Sequence, residues 1–117
     1  MVDLEILIVH EPIDAATLQQ LAAAWYGTMV KGVADVERGI VALGGDWHID
    51  ANNVLIADGS QQPNLWGFNI QLEKEPRVEY ISLINIRPAQ GNRAMELEDV
   101  RTRERILVLL KKFIPHV

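Results

Sequence analysis

A chain of 117 residues, 49% of them hydrophobic, is the size of one domain and can bury one core, so a single α+β domain over residues 1–117 is expected. The formal net charge of −5 argues against bulk binding to nucleic acid. The absence of cysteine excludes disulfides, thiolate chemistry and cysteine-based zinc or iron–sulfur sites.

Asp3 and Glu5 sit where a signal peptide needs basic residues, and Ile6–Val9 and Ile106–Leu110 are too short to span a bilayer. A cytoplasmic protein without a membrane partner is therefore expected. The charge is uneven. Residues 1–76 carry 3 basic and 11 acidic residues, whereas residues 77–117 carry 8 basic and 5 acidic ones. The two parts either neutralise each other across the fold or leave a positive patch on an acidic body.

Leu4–Val9 is apolar on both faces, as in a covered strand. Asp14 is placed to cap a helix from Ala15, whose Leu18, Leu21, Ala22 and Trp25 form one stripe, and Gly27 ends it. A second helix is expected from Met29 to Leu43, on the stripe Val33, Val36, Ile40 and Leu43, with Gly44-Gly45 closing it. His48–Ala57 then reads as a strand, clearest at Val54–Ala57, followed by a turn at Asp58-Gly59-Ser60. Trp66, Phe68, Ile70 and Leu72 alternate with Gly67, Asn69 and Gln71, the pattern of a half-buried antiparallel strand. Val78–Arg87 is expected as its hairpin partner, with Val78, Tyr80, Ser82 and Ile84 opposite Leu72, Ile70, Phe68 and Trp66. Asp99 caps a last helix, Val100 to Ile114, with the stripe Ile106, Leu109, Leu110 and Phe113, and Pro115 follows. The expected fold is α+β: a mostly antiparallel sheet of about four strands with helices on one face, in the order β-α-α-β-β-β-α.

The segment Ile84–Arg93 offers the leading site. It runs from a strand into a Pro/Gly loop, and its Asn85, Arg87, Asn92 and Arg93 have the donors to grip an anion, with Gly91 letting the backbone approach. An internal ion pair, for instance Arg87 with Glu79, would give the same pattern. His48 and Asp50, two apart on a strand, could share a metal or a proton. That is half a metal site; His10, His116, Asp35 or Glu37 would have to complete it. Ser60 and Ser82 lie in no nucleophile motif, and no phosphate loop is present. Trp66, Phe68 and Tyr80 read as core, and Arg101, Arg105 and Lys112 as a solvated helix face that could touch phosphates.

Met29–Glu37, Gly44–Asp50, Gly59–Gly67 and Ile84–Arg93 together resemble a family of short bacterial single-domain proteins of unknown function, over roughly residues 29–114. The resemblance implies no activity, cofactor or catalytic residue. The leading expectation is a non-catalytic binding module whose Arg87–Arg93 loop takes a small anionic ligand or an acidic protein partner. The element order also resembles that of bacterial ribonuclease toxins, which gives an RNA-directed enzyme as the rival. Metal-assisted hydrolysis at His48 and Asp50 is the third reading. A homodimer through the sheet edge or apolar helix faces is compatible with the pattern, which does not select it.

Overall fold

The computed structural model describes residues 6–114 and 117. The start of the expected first strand at Leu4, the acidic positions 3 and 5, Pro115 and His116 lie outside the described residues. The elements are β1 (Leu7–Val9), α1 (Ala15–Trp25), β2 (Met29–Asp35), β3 (Ile40–Leu43), α2 (His48–Ala57), β4 (Leu65–Gln71), β5 (Val78–Glu79) and α3 (Val100–Phe113). The five strands form one antiparallel sheet in the order β1-β3-β2-β4-β5. The fold is thus α+β on an antiparallel sheet, as expected, although three of its elements differ from the sequence reading.

The caps and stripes of the two outer helices are where the pattern puts them. Asp14 accepts from the Thr17 backbone N–H at 2.8 Å, and α1 buries Leu18, Leu21 and Ala22. Asp99 accepts from the Thr102 N–H at 3.2 Å, and α3 buries Ile106, Leu110 and Phe113. Each of the leucine, isoleucine and phenylalanine side chains among them, when fully buried, contributes about 1.5–3 kcal/mol. These two helices cover the face of the sheet that carries Val30, Val41, Trp66, Phe68 and Ile70.

The segment Met29–Leu43 is a hairpin, not the expected helix. Its Val30, Val33, Ile40 and Val41 are β-branched residues that fit a pleated surface. The Asp35 Oδ1 accepts from the backbone N–H groups of Glu37 and Arg38, both at 3.0 Å, and Gly39 closes the turn at φ 69°. The helical spacing of Val33, Val36, Ile40 and Leu43 coincides with two strands and a turn.

His48–Ala57 is a helix, not the expected strand. Asp50 turns back to accept from the Trp47 N–H at 3.1 Å, which caps the first turn. His48, Ala51, Asn52 and Leu55 are the buried residues, spaced as one helical face. Ala51 and Leu55 pack on Val33, Ala42 and Leu65, so α2 covers the opposite face of the sheet from α1 and α3. The helices thus lie on both faces of five strands, in the order β-α-β-β-α-β-β-α, rather than on one face of about four. A hairpin in place of a helix gave the sheet apolar residues on both faces, and both are covered. Arg38 joins the hairpin turn to the end of α2 through Asp58 at 2.7 Å and Ser60 at 2.7 Å.

The expected strand Val78–Arg87 stays paired only at Val78 and Glu79, opposite Ile70 and Asn69. That register is two residues from the expected one, so Val78 and Tyr80 keep the expected face, whereas Ser82 and Ile84 turn to the opposite one, against Gly67 and the Ala51/Leu55 cluster. Beyond Tyr80 the chain leaves the sheet. The Asn85 side chain takes the place of a strand neighbour: Oδ1 accepts from the Gly67 N–H at 2.8 Å and Nδ2 donates to the Gly67 carbonyl at 3.0 Å. An amide group that matches a peptide bond in both donor and acceptor ends the pairing without orphaning β4.

Candidate functional site

The Arg87–Arg93 loop is a closed structural unit. Arg87 and Asn92 exchange backbone bonds at 2.7 and 3.1 Å, and Gly91 turns the chain between them at φ 81°. The Arg87 guanidinium lies over the Trp66 ring, 3.8 Å from its centroid. It donates to the carbonyls of Gln62 (2.7 Å) and Leu65, and to Gln90 Oε1 (3.1 Å). Its Nε is buried and has no partner among the described residues, and burial lowers its pKa from the ordinary arginine value. No carboxylate pairs with it among the described residues.

Both asparagines face inward. Asn85 is wholly buried on Gly67. Asn92 donates through Nδ2 to the carbonyls of Asn85 (2.8 Å), Ala94 (3.0 Å) and Glu96 (3.1 Å), and accepts from the Glu98 N–H at 2.9 Å. Of the four residues expected to grip an anion, three are engaged in holding loop to sheet. Arg93 alone is exposed, and it has no side-chain partner among the described residues.

His48 and Asp50 do not converge. Two residues on a helix point about 200° apart, and Asp50 is the cap described above while His48 turns under the helix. Among the described residues no three His, Cys, Asp or Glu gather as a metal site. His10 is exposed and Asp35 is buried in its own turn.

The structure instead gathers His48 with three residues that come from distant parts of the chain. A cleft of about 230 Å³ opens between the first turn of α2 and the 80–97 loop, and its floor is Lys31, His48, Asn69 and Ser82. Around it stand Trp47, Ile49, Ile81, Leu83, Ile84 and Met95. Trp47 and Leu83 are each 63% exposed and Met95 is 42% exposed, so the apolar rim faces solvent.

The floor is fixed by Gly67. A Cβ there would stand 2.5 Å from Ser82 Cβ and 3.2 Å from His48 Cδ2, so only glycine lets β4 pass beneath both side chains. The His48 Nε2 faces two acceptors, the Phe68 carbonyl and Asn69 Oδ1, each at 2.9 Å. It therefore carries the proton, and Nδ1 keeps a free lone pair. Burial, and next the Lys31 charge, depress the His48 pKa to about 4; the two hydrogen bonds oppose this. The imidazole is neutral at pH 7.

Lys31 is half-buried, 5.2 Å from the centroid of the Tyr26 ring. Burial lowers its pKa and the charge of Glu79 opposes the shift. Glu79 is itself held by Gln71 Nε2 at 2.8 Å. Ser82 Oγ accepts from the Ile84 N–H at 3.2 Å, and its proton has no acceptor among the described residues. No hydrogen bond joins Ser82 to the imidazole among the described residues, so the two are not a nucleophile–base pair.

The sequence reading missed Lys31, Asn69 and Ser82 as a group. The one local signal was glycine inside an alternating strand, which marks a close approach by another group.

Comparison with curated proteins and with solved structures gave no match. A family model described as a protein of unknown function (DUF5674) matches residues 7–113, nearly the whole chain. The chain, with its inward-turned loop and its cleft at the start of α2, belongs to that family.

Proposed function

We propose that this protein is a non-catalytic binding module whose ligand enters the cleft between α2 and the 80–97 loop. The observation that carries the reading is a polar floor with unused bonding capacity beneath an exposed apolar rim. Compact binding sites combine apolar walls with a few convergent polar groups in this way. The His48 lone pair and the Ser82 proton lack partners among the described residues, and Trp47 and Leu83 stand exposed at the rim above them. The absence of a hydrogen bond between Ser82 and His48 supports binding over hydrolysis.

Met95, just beyond the Arg87–Arg93 loop, lines the cleft, and its carbonyl accepts from the Ser82 N–H at 3.0 Å. An anion taken by this loop itself would rest on Arg93, its one unengaged cation. An RNA-directed reading finds less support. Arg103 pairs with Glu96 at 2.6 Å within residues 77–117, and Arg105 approaches Glu37 of the acidic part at 3.8 Å, so two of the basic residues already face carboxylates.

Titration with compact apolar alcohols, amides and acids tests the proposal through backbone amide shifts. Shifts concentrated at Ile49, Leu83 and Met95, and absent in Trp47→Ala, are expected. Unmoved cleft amides at millimolar ligand would refute it, and shifts confined to Arg93 under phosphate would move the site to the loop.

A further inference from the structure

Resting on that reading, we propose that the cleft takes a small apolar monocarboxylate, with its carboxylate at Lys31 and its hydrocarbon part beneath Trp47, Ile49 and Leu83. Lys31 is the one cationic side chain in the lining, and no carboxylate lies within 4.0 Å of it among the described residues. An ammonium group drawn partly out of water, with the Glu79 charge acting on it only from beyond contact distance, gains from an arriving anion. The lowered Lys31 pKa is the same imbalance seen from the protein side.

Donors accompany the charge. The Ser82 hydroxyl proton is unclaimed, and Asn69 Nδ2 reaches only the Ile81 carbonyl at 3.5 Å, a weak bond that an incoming oxygen can replace. The cleft also lies at the start of α2, where the helix dipole favours negative charge. His48 is more than nine-tenths buried, and its Nδ1 lone pair is free to accept from a hydroxyl on the ligand.

The same groups select against other anions. His48 stays neutral, so one positive charge faces the ligand, which suits a carboxylate better than a phosphate dianion. No arginine fork lines the cleft. The volume, about 230 Å³, falls below that of drug-sized cavities, so the ligand is compact. The apolar rim leaves no charge to meet a second carboxylate, which excludes dicarboxylates as the preferred class.

The test compares hexanoate and 4-phenylbutanoate with their neutral amides, by calorimetry and by amide shifts, on the full chain. The acids are expected to bind about ten-fold or more tighter than the amides, the scale of one charge-assisted hydrogen bond. Lys31→Met and Lys31→Gln should erase that preference, so that acid and amide bind each variant alike, with circular dichroism and melting confirming that each variant folds. Equal affinity for acid and amide in the wild type would overturn the carboxylate proposal and leave the cleft reading standing. A preference surviving in a folded Lys31 variant would also overturn it. Failure of every probe to bind would remove the cleft reading and this proposal together.

Discussion

His48 makes stability depend on pH in a defined direction. Its pKa is depressed from 6.5 to about 4 by burial and by Lys31, so the folded chain keeps the imidazole neutral where the unfolded chain binds a proton. The unfolded state thus holds more protons between those values, and stability falls as pH falls through that window. At about 1.36 kcal/mol per unit, the neutral imidazole accounts for about 3 kcal/mol that is fully present above pH 6.5 and lost progressively toward pH 4. Carboxylates also lose charge at the acid end, so the measurement is a difference. Urea unfolding of the wild type and of His48→Gln between pH 7.5 and 4 isolates the contribution, because a glutamine amide can still donate to the Phe68 carbonyl but does not titrate. The wild type should lose about 2–3 kcal/mol more than the variant over this range. A direct titration of the His48 ring protons should show a midpoint well below 6. Parallel pH profiles, or a ring titrating near 6.5, would refute the burial argument and with it the neutral imidazole in the floor of the cleft.

Three further outcomes follow from the geometry. Asn85→Ala removes both bonds to Gly67 and orphans a buried peptide unit, for a loss of about 2–4 kcal/mol in urea unfolding. Arg87→Lys keeps the charge but loses the stack on Trp66 and the forked donation to Gln62 and Leu65, costing about 1–2 kcal/mol by the same assay. Gly67→Ala drives a methyl group into Ser82 and His48; a loss of about 1–3 kcal/mol is expected, with amide shifts centred on Ser82 and Ile49.

The sequence made some elements legible and hid others for physical reasons. Asp14, Asp99 and the α3 stripe act locally, within one or two turns of helix, so their pattern is readable without the rest of the chain. Met29–Leu43 carries a helical spacing and a strand composition at once, and the choice between them is made by the Asp35 turn and by pairing with β4 over all seven β2 residues. His48, Ala51, Asn52 and Leu55 did have the helical period, but two of the four are polar and so fell outside an apolar count. Asn52 is buried because its amide pairs with Gln62, at 2.7 and 2.8 Å, a partner ten residues away.

The site divides along the same line. The loop was found because its residues lie close in sequence, yet three of them are taken up by backbone groups: Asn92 by its own segment, Asn85 by Gly67, and Arg87 by Gln62 and Leu65. The cleft was not found because Lys31, His48, Asn69 and Ser82 come from four segments, and only the β2–β4 pairing and the crossing of α2 over Gly67 bring them together. Among the described residues the His48 Nδ1 and the Ser82 proton have no partner, whereas the side-chain amides of Asn85 and Asn92 are engaged at both ends. That physical difference favours the cleft over the loop as the place where a ligand gains most.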